Sequence, residues 1–210
     1  MIPTLFETLQ FRKGKILFLK EHLTRLLRSA RHFGIERAKV RVTLQPHHFF
    51  PPSLYQRGAK LIIARSVKND SPLRSSHKTL PRQTKEKAAE EAKRKKAHEA
   101  ILLNKAGRVT ECSSSNIFLV KNGRLITPPL SEGLLDGITR QKVFKIGRRL
   151  KIPTRTCPVS RKELFGADEV FITSSLKGIL PVRRIDRKEI GKTPGPVTTR
   201  LMKAYKKKTG

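Results

Sequence analysis

Glu111 ends the apolar stretch "RVTE" and opens "ECSSSN", so Cys112, Ser113, Ser114 and Ser115 follow it directly. A carboxylate at a strand end can pair with a protonated heterocyclic nitrogen, the contact that an electron-withdrawing pyridine ring requires. It can equally be an exposed loop acid. Further on, "DGITR" reads as a helix start. The first N–H groups of a helix lack intrahelical partners and carry the positive end of its dipole. Gly137 admits a ligand to the backbone there, Ile138 and Thr139 follow, and the Thr139 hydroxyl adds a donor, which together make a seat for a phosphate. An ordinary cap or water fills the same role at most helix starts. "TSS", Thr173 to Ser175, closes the apolar strand "EVFI" with small donors that either complete an anion site or form a plain turn. Lys78, in "HKTL", follows a polar linker. A lysine that is partly desolvated near other cations loses its proton readily and becomes a nucleophile. Composition alone does not separate Lys78 from the many lysines that are surface charges.

These groups need elements to hold them. "FETLQF" and "KILFL" read as a hairpin across "RKGK". "KEHLTRLLRSARHFGI" is a helix, with Leu19, Leu23, Leu26, Leu27, Ala30 and Phe33 at helical spacing and Gly34 as its stop. "KVRVTLQ" and "KLIIARS" look like strands around the loop "PHHFFPPSLYQRG", and residues 66–76 look like a linker. A helix is expected over residues 83–96, then strands "EAILLN" and "RVTE". "NIFLVKNGRLITPP" is a hairpin with Asn122-Gly123 at a type I′ turn. A helix from Gly137, strands "DEVFITSS" and "ILPVRRID", and a terminal helix "GPVTTRLMKAYKK" complete the chain. The pattern predicts an α+β (mixed α/β) fold in two domains: a small one over 1–76, and a larger strand-rich one over 77–210 with mixed or antiparallel pairing.

Composition narrows the functions. Lys and Arg number 47 against 16 Asp and Glu, for a net charge of +31 and a pI near 11.2 in 210 residues. Such a chain attracts polyanions, so nucleic acid is admitted as a partner. The charge is spread along the chain, however, and no aromatic RNA-binding motif accompanies it. Cys112 and Cys157 make neither a disulfide framework nor a Cys-x-x-Cys zinc site, so no metal is expected and a reducing, cytoplasmic setting fits. No apolar run approaches the ~18 residues that span a bilayer, and the N-terminus carries no signal-peptide pattern.

Taken in order, "FETLQFRKGKILFLKEHLTRLLRSARHFGI", "HKTL", "EAILLNKAGRVTECSSSNIFLVKNGRLITPP", "LDGITRQ" and "EVFITSSLKGILPV" resemble the class IV aminotransferases. These are pyridoxal-phosphate enzymes of fold type IV, including branched-chain and D-amino-acid transaminases and 4-amino-4-deoxychorismate lyase. The resemblance implies pyridoxal 5'-phosphate as cofactor and Lys78 as the lysine that holds it and shuttles the proton. It further implies Glu111 on the ring nitrogen, and Arg25, Gly137, Ile138, Thr139 and Ser175 around the phosphate. Ser113, Ser114 and Ser115 would lie in the loop lining the cofactor and substrate pocket. An amino substrate, transaminase or lyase chemistry, and a homodimer are implied as well. The small domain looks shortened: the chain begins almost at "FET", the stretch up to Lys78 is brief, and "TLPRQ" replaces the family's Leu-Asn-Tyr type. A degenerate member serving as a basic RNA- or ribosome-associated protein is the alternative reading.

Overall fold

The protein is described by a computed structural model covering residues 3–46, 50–68, 75–80, 82–191 and 193–209. Short strands β1 (Thr4–Leu5), β2 (Phe11–Arg12) and β3 (Lys15–Ile16) precede helix α1 (Leu19–His32) and the single-turn α2 (Pro52–Arg57). Then come β4 (Ala59–Lys68), β5 (Thr79–Leu80), α3 (Gln83–Arg94), β6 (Glu99–Asn104), β7 (Val109–Cys112), β8 (Asn116–Lys121) and β9 (Arg124–Thr127). The chain continues through α4 (Ile138–Arg149), β10 (Thr154–Thr156), α5 (Arg161–Phe165), β11 (Glu169–Ser174), β12 (Gly178–Ile185), β13 (Lys188–Glu189) and α6 (Pro196–Thr209). Among the described residues, nine strands form one mixed sheet in the order β10-β9-β8-β11-β12-β4-β6-β7, with β13 on β12.

The sheet is apolar on both faces, which explains the continuous hydrophobic runs. Successive side chains of a strand point to opposite faces. Accordingly Ile117 and Leu119 of β8 and Val170 and Ile172 of β11 enter one core, while Phe118, Val120 and Phe171 enter the other. Phe118 and Phe171 are register partners, and their rings stack with centroids 5.0 Å apart. Helices α4 and α6 cover this second face through Val143, Ile146, Val197 and Leu201. Helix α3 lies over β4 and β6, where Ala88 and Ala92 let its backbone come close to Ile62, Ala100 and Leu102. Asn122 and Gly123 both take positive φ (49° and 71°), the type I′ geometry expected between β8 and β9.

Four expectations need correction. A boundary at residue 76 assigns β4 to the small domain, yet β4 runs parallel between β12 and β6 in the large sheet. Its run Leu61, Ile62, Ile63 feeds cores on both faces, which only a central strand can do. "KVRVTLQ" is not a strand: Val40, Val42 and Leu44 are exposed, with no strand beside them among the described residues to take their backbone bonds. The first hairpin is limited to Phe11–Ile16, and β1 pairs instead with β5, at Thr4↔Leu80 and Leu5↔Thr79. The loop before β4 contains α2, and the linker read over 66–76 begins as β4 and passes through 69–74, outside the described residues.

The inner face of α1 is also the unexpected one. His22, Arg25 and Ser29 are buried, whereas Leu19, Leu23 and Leu27 of the apolar stripe are exposed.

Buried Glu169 caps α6, accepting from the backbone N–H groups of Val197 (3.0 Å) and Thr198 (2.8 Å). Glu169→Ala leaves two buried donors without an acceptor, at roughly 1–3 kcal/mol for each unsatisfied group. Urea denaturation is expected to show a loss of at least about 2 kcal/mol; an unchanged midpoint would contradict the assigned cap.

Candidate active site

Lys78 immediately precedes β5, and the pairing of β1 with β5 brings Phe6 alongside it. Phe6 N–H donates to the Lys78 carbonyl (3.2 Å), and Lys78 Nζ stands 4.3 Å from the centre of the Phe6 ring. The preceding His77 is fixed as well: Nδ1 lies 2.9 Å from Ser29 Oγ, and its ring stacks on His32 at 4.3 Å. Desolvation lowers the Lys78 ammonium from its ordinary 10.5 to about 7, the positive charges of Arg82, Arg25 and Lys85 push the same way, and Glu7 opposes them. Lys78 therefore holds much of its amine as free base at neutral pH. Such an amine is a nucleophile and a proton carrier.

Lys78 opens into a cavity of about 520 Å3, whose far lining comes from elements distant in sequence. Gly137 caps α4 without any side-chain cap bond, which leaves the first N–H groups of the helix for a ligand. Asn116 packs directly against Gly137, so a side chain there would strike its carboxamide. Thr173 Oγ1 is buried without a hydrogen-bond partner, the buried Thr139 hydroxyl has only Tyr205 near it, and both residues line the cavity. Buried hydroxyls are rarely left unsatisfied. The Thr173 and Thr139 hydroxyls together with an uncapped helix start suit an anion with several acceptor oxygens.

Arg25 reaches this region from α1. Its Nη1 donates to the Asp136 carbonyl (3.1 Å) just ahead of α4, while Nε (2.7 Å) and Nη2 (2.5 Å) donate to Glu7. A guanidinium has five N–H donors, so two remain for a ligand. Glu7 also pairs with His22 Nδ1 (2.8 Å), and His22 Nε2 lies 3.4 Å from Ser175 Oγ. Burial would raise the Glu7 carboxyl, but the hydrogen bonds from His22 and Arg25 outweigh it and hold the group below its ordinary 4.5. Neither Glu7 nor His22 was singled out from sequence. The available signal was the polar spacing His22, Arg25, Ser29 on an amphipathic helix.

Glu111 sits in the cavity wall between two lysines. Lys68 pairs with Oε1 and Lys85 Nζ with Oε2 (2.9 Å), and the Leu135 N–H also points at Oε2 (3.3 Å). Burial pushes Glu111 up, but Lys85 and Lys68 outweigh it and keep it ionised. A carboxylate accepts about four hydrogen bonds, so one position remains for a ring N–H. The serine loop is built on a second acid. Buried Glu99 accepts from Ser113 Oγ (3.3 Å), Ser114 N–H (2.9 Å) and Ser115 Oγ (2.5 Å), and it pairs with Lys177 (2.8 Å). Ser114 and Ser115 line the cavity, and Ser113 does not.

The structure thus gathers Lys78, Arg25, Glu111, Gly137, Ile138, Thr139 and Ser175 around one cavity. A sequence model of the family described as amino-transferase class IV matches residues 36–185, more than half of the chain. The chain belongs to the class IV aminotransferases. Its curated relatives include the "Probable branched-chain-amino-acid aminotransferase" of Thermotoga maritima, 48% identical over 109 residues, or 51% of this chain and 40% of that protein. Among solved structures, 4-amino-4-deoxychorismate lyase from Pseudomonas aeruginosa overlaps 97% of this chain and 90% of that one, with a TM-score of 0.88 and 26% identity. A second solved structure, a branched-chain amino acid aminotransferase complexed with N-(5'-phosphopyridoxyl)-L-glutamate, overlaps 73% and 52%, with a TM-score of 0.69 and 33% identity. The expected mixed α/β, fold type IV architecture is borne out. The matched stretch spans well under half the length of the first curated relatives.

Glu111→Gln removes the counter-charge of two buried ammonium groups. Breaking a buried pair from one side costs roughly 3–5 kcal/mol. Lys85 is already lowered, first by burial, with Glu111 the main group opposing that fall. Without Glu111 its folded-state pKa drops further below the unfolded value, so the unfolded chain binds more protons and stability rises with pH. Melting temperatures of the variant should climb from pH 7 to 9 more steeply than those of the wild type; parallel curves would contradict the clamp.

Proposed function

We propose that this chain is a pyridoxal 5'-phosphate-dependent enzyme acting on an amino-bearing acid. The observation that carries the proposal is the convergence of a depressed lysine amine, an ionised buried carboxylate and an uncapped helix start on one cavity. The residues fit the cofactor. The N–H groups at the start of α4, the hydroxyls of Thr139 and Thr173, and the spare donors of Arg25 are suited to its phosphate. The remaining acceptor position of Glu111 is suited to its ring nitrogen. When bound, the cofactor supplies an electron sink that acidifies the C–H bond beside the substrate's amino group.

The chain's own groups do the rest. Lys78, about half unprotonated near neutral pH, would hold the cofactor through its amine, and as free base it would carry a proton to and from the substrate carbon beside the amino group. Its low pKa lets one amine accept and return that proton without a large penalty in either direction. Glu111, held ionised, would keep a proton on the ring nitrogen. Lys68 and Lys85 fix the orientation of its carboxylate, and their charges temper how strongly that nitrogen is protonated. His22 and Glu7 hold Arg25 against α4.

Transamination is favoured by the identity to branched-chain aminotransferases. The lyase reading rests on a different observation, the overlap along nearly the whole of 4-amino-4-deoxychorismate lyase. A homodimer is proposed too, supported by the exposed Phe11, Leu23, Leu27, Val42 and Leu44, an apolar set for which a second copy is the implied cover. The free Cys112 and Cys157 support a cytoplasmic setting. No helix among the described residues is long and apolar enough to cross a membrane. The RNA-binding alternative draws no support from the cavity, where Arg25, Lys68, Lys85 and Lys177 are engaged by internal carboxylates.

Incubation with pyridoxal 5'-phosphate followed by borohydride should leave one phosphopyridoxyl group, mapped by peptide mass spectrometry to Lys78. Lys78→Ala should abolish it. A label that persists in Lys78→Ala, or that maps to Lys93, Lys95 or Lys96, would overturn the proposal.

A further inference from the structure

The cavity does not use most of the net charge of +31, and on the surface that charge is unevenly balanced. Helix α3 alternates its basic residues with Glu86, Glu90 and Glu91, so its charges partly cancel. Helices α4 and α6 contain no acidic residue. The acids that border them are already engaged. Asp136, just before α4, pairs with Arg140, and buried Glu169 caps α6. Glu21 of α1 takes Lys142 and lies near Lys145. What remains carries one sign: Arg148 and Arg149 in the last turn of α4, Lys151 just beyond it, and Arg200, Lys203 and Lys207 along α6. All of these are exposed, and none is paired with a carboxylate among the described residues.

The packing makes them one patch. Helices α4 and α6 lie against the same core through Val143, Ile146, Val197 and Leu201. Arg200 Nη2 donates to the Leu150 carbonyl (3.1 Å), which sets Arg200 beside Arg148 and Arg149. Residues three and four apart on a helix are neighbours, so Lys203 and Lys207 continue the row from Arg200. The helix dipole favours cations in the last turn of α4, but its effect falls off within that turn and does not account for Arg200 or Lys203. Cations held together without a counter-charge repel one another, and a polyanion laid across them relieves that repulsion.

We infer that this face of α4 and α6 binds the phosphate backbone of a duplex nucleic acid, outside the cavity and without reading its sequence. A row of cations fixed on two packed helices meets a regular row of phosphates, and contacts of that kind position a protein without distinguishing bases. The aromatic residues of these helices, Phe144 and Tyr205, pack inward on Phe118 and Phe18, so they offer no platform on which unpaired bases could stack. An anionic membrane fits less well. Helices that lie in a bilayer surface present large apolar side chains beside their cations, and the exposed large hydrophobics of this chain, such as Phe11, Leu27 and Val42, lie outside α4 and α6. The inference is independent of the chemistry proposed for the cavity.

The test is fluorescence anisotropy of labelled RNA and DNA duplexes with the full chain, across a salt series. Wild type should bind duplex, with the logarithm of the binding constant falling linearly with the logarithm of salt concentration. The triple variant Arg148→Gln, Lys203→Gln, Lys207→Gln should lose about tenfold or more at low salt and flatten that slope by about 3, roughly one for each phosphate contact removed. Lys93→Gln, Arg94→Gln, Lys96→Gln removes the same charge from exposed positions on and just after α3 and should cost no more than about twofold, because those residues make no phosphate contact. Matching melting temperatures for the two variants keep the comparison one of surface charge. Preference between the RNA and the DNA duplex identifies which backbone the face meets. Equal losses in the two variants would show binding that follows net charge alone and would overturn the inference. So would the absence of duplex binding by the wild type, tighter binding of a single strand, or binding to vesicles of anionic phospholipid with none to duplex. The borohydride-fixed label at Lys78 should be the same in both variants, so its loss counts against the cavity reading and not against this one.

Discussion

Buried carboxylates shared among cations hold this cavity together. Glu7 binds Arg25 and His22, Glu111 binds Lys68 and Lys85, and Glu99 binds Lys177 together with the serine loop. In a chain of net charge +31, positive groups brought together out of water repel one another, and their mutual cost grows as the local dielectric falls. Each carboxylate offsets that cost at one point on the wall, and each spans a long sequence separation. The Glu7 pair joins the segment after β1 to α1, and Arg25 carries the link on to the turn before α4. The Glu111 pairs join β7 to β4 and α3. The fold and the site therefore depend on the same bonds.

That arrangement also decides which amine is reactive. Lys68 and Lys85 stay with Glu111, whereas Lys78 faces Arg82 and the Phe6 ring and has only distant Glu7 to favour its charge. Burial lowers both Lys78 and Lys85, but neighbouring positive charges add to the fall at Lys78 while Glu111 opposes it at Lys85. Both behaviours occur within one wall. A phosphate seat at α4 would bring negative charge into a cavity lined with an excess of positive side chains.

Local chemistry was legible in the sequence. Asn122-Gly123 makes the turn its residue types demand, and Gly137 starts α4, because both are decided by a few neighbouring residues. Long-range pairing was not. Lys68 and Lys85 read as two more basic residues in a basic chain, and nothing near them in sequence announces Glu111. The apolar stripe of α1 was misleading for a different reason. Periodicity reports that a helix has two faces, not which face the site will use, and here the site takes the polar one, with His22, Arg25 and Ser29. β4 was assigned to the small domain because it precedes the linker, although its apolar run on both faces already suited a central strand. The serine run marked a loop at the cavity but not the direction of each hydroxyl, which Glu99 sets.

The central claim is that this cavity lowers the Lys78 pKa far enough to leave its amine reactive at neutral pH. Titration of ε-15N-labelled lysine by NMR measures it directly, with Lys78→Arg assigning the resonance. A midpoint near the value of about 7 is predicted for Lys78. A midpoint at the ordinary 10.5 would contradict the account, because the amine would then be fully protonated at neutral pH and no more reactive than the lysines on the surface.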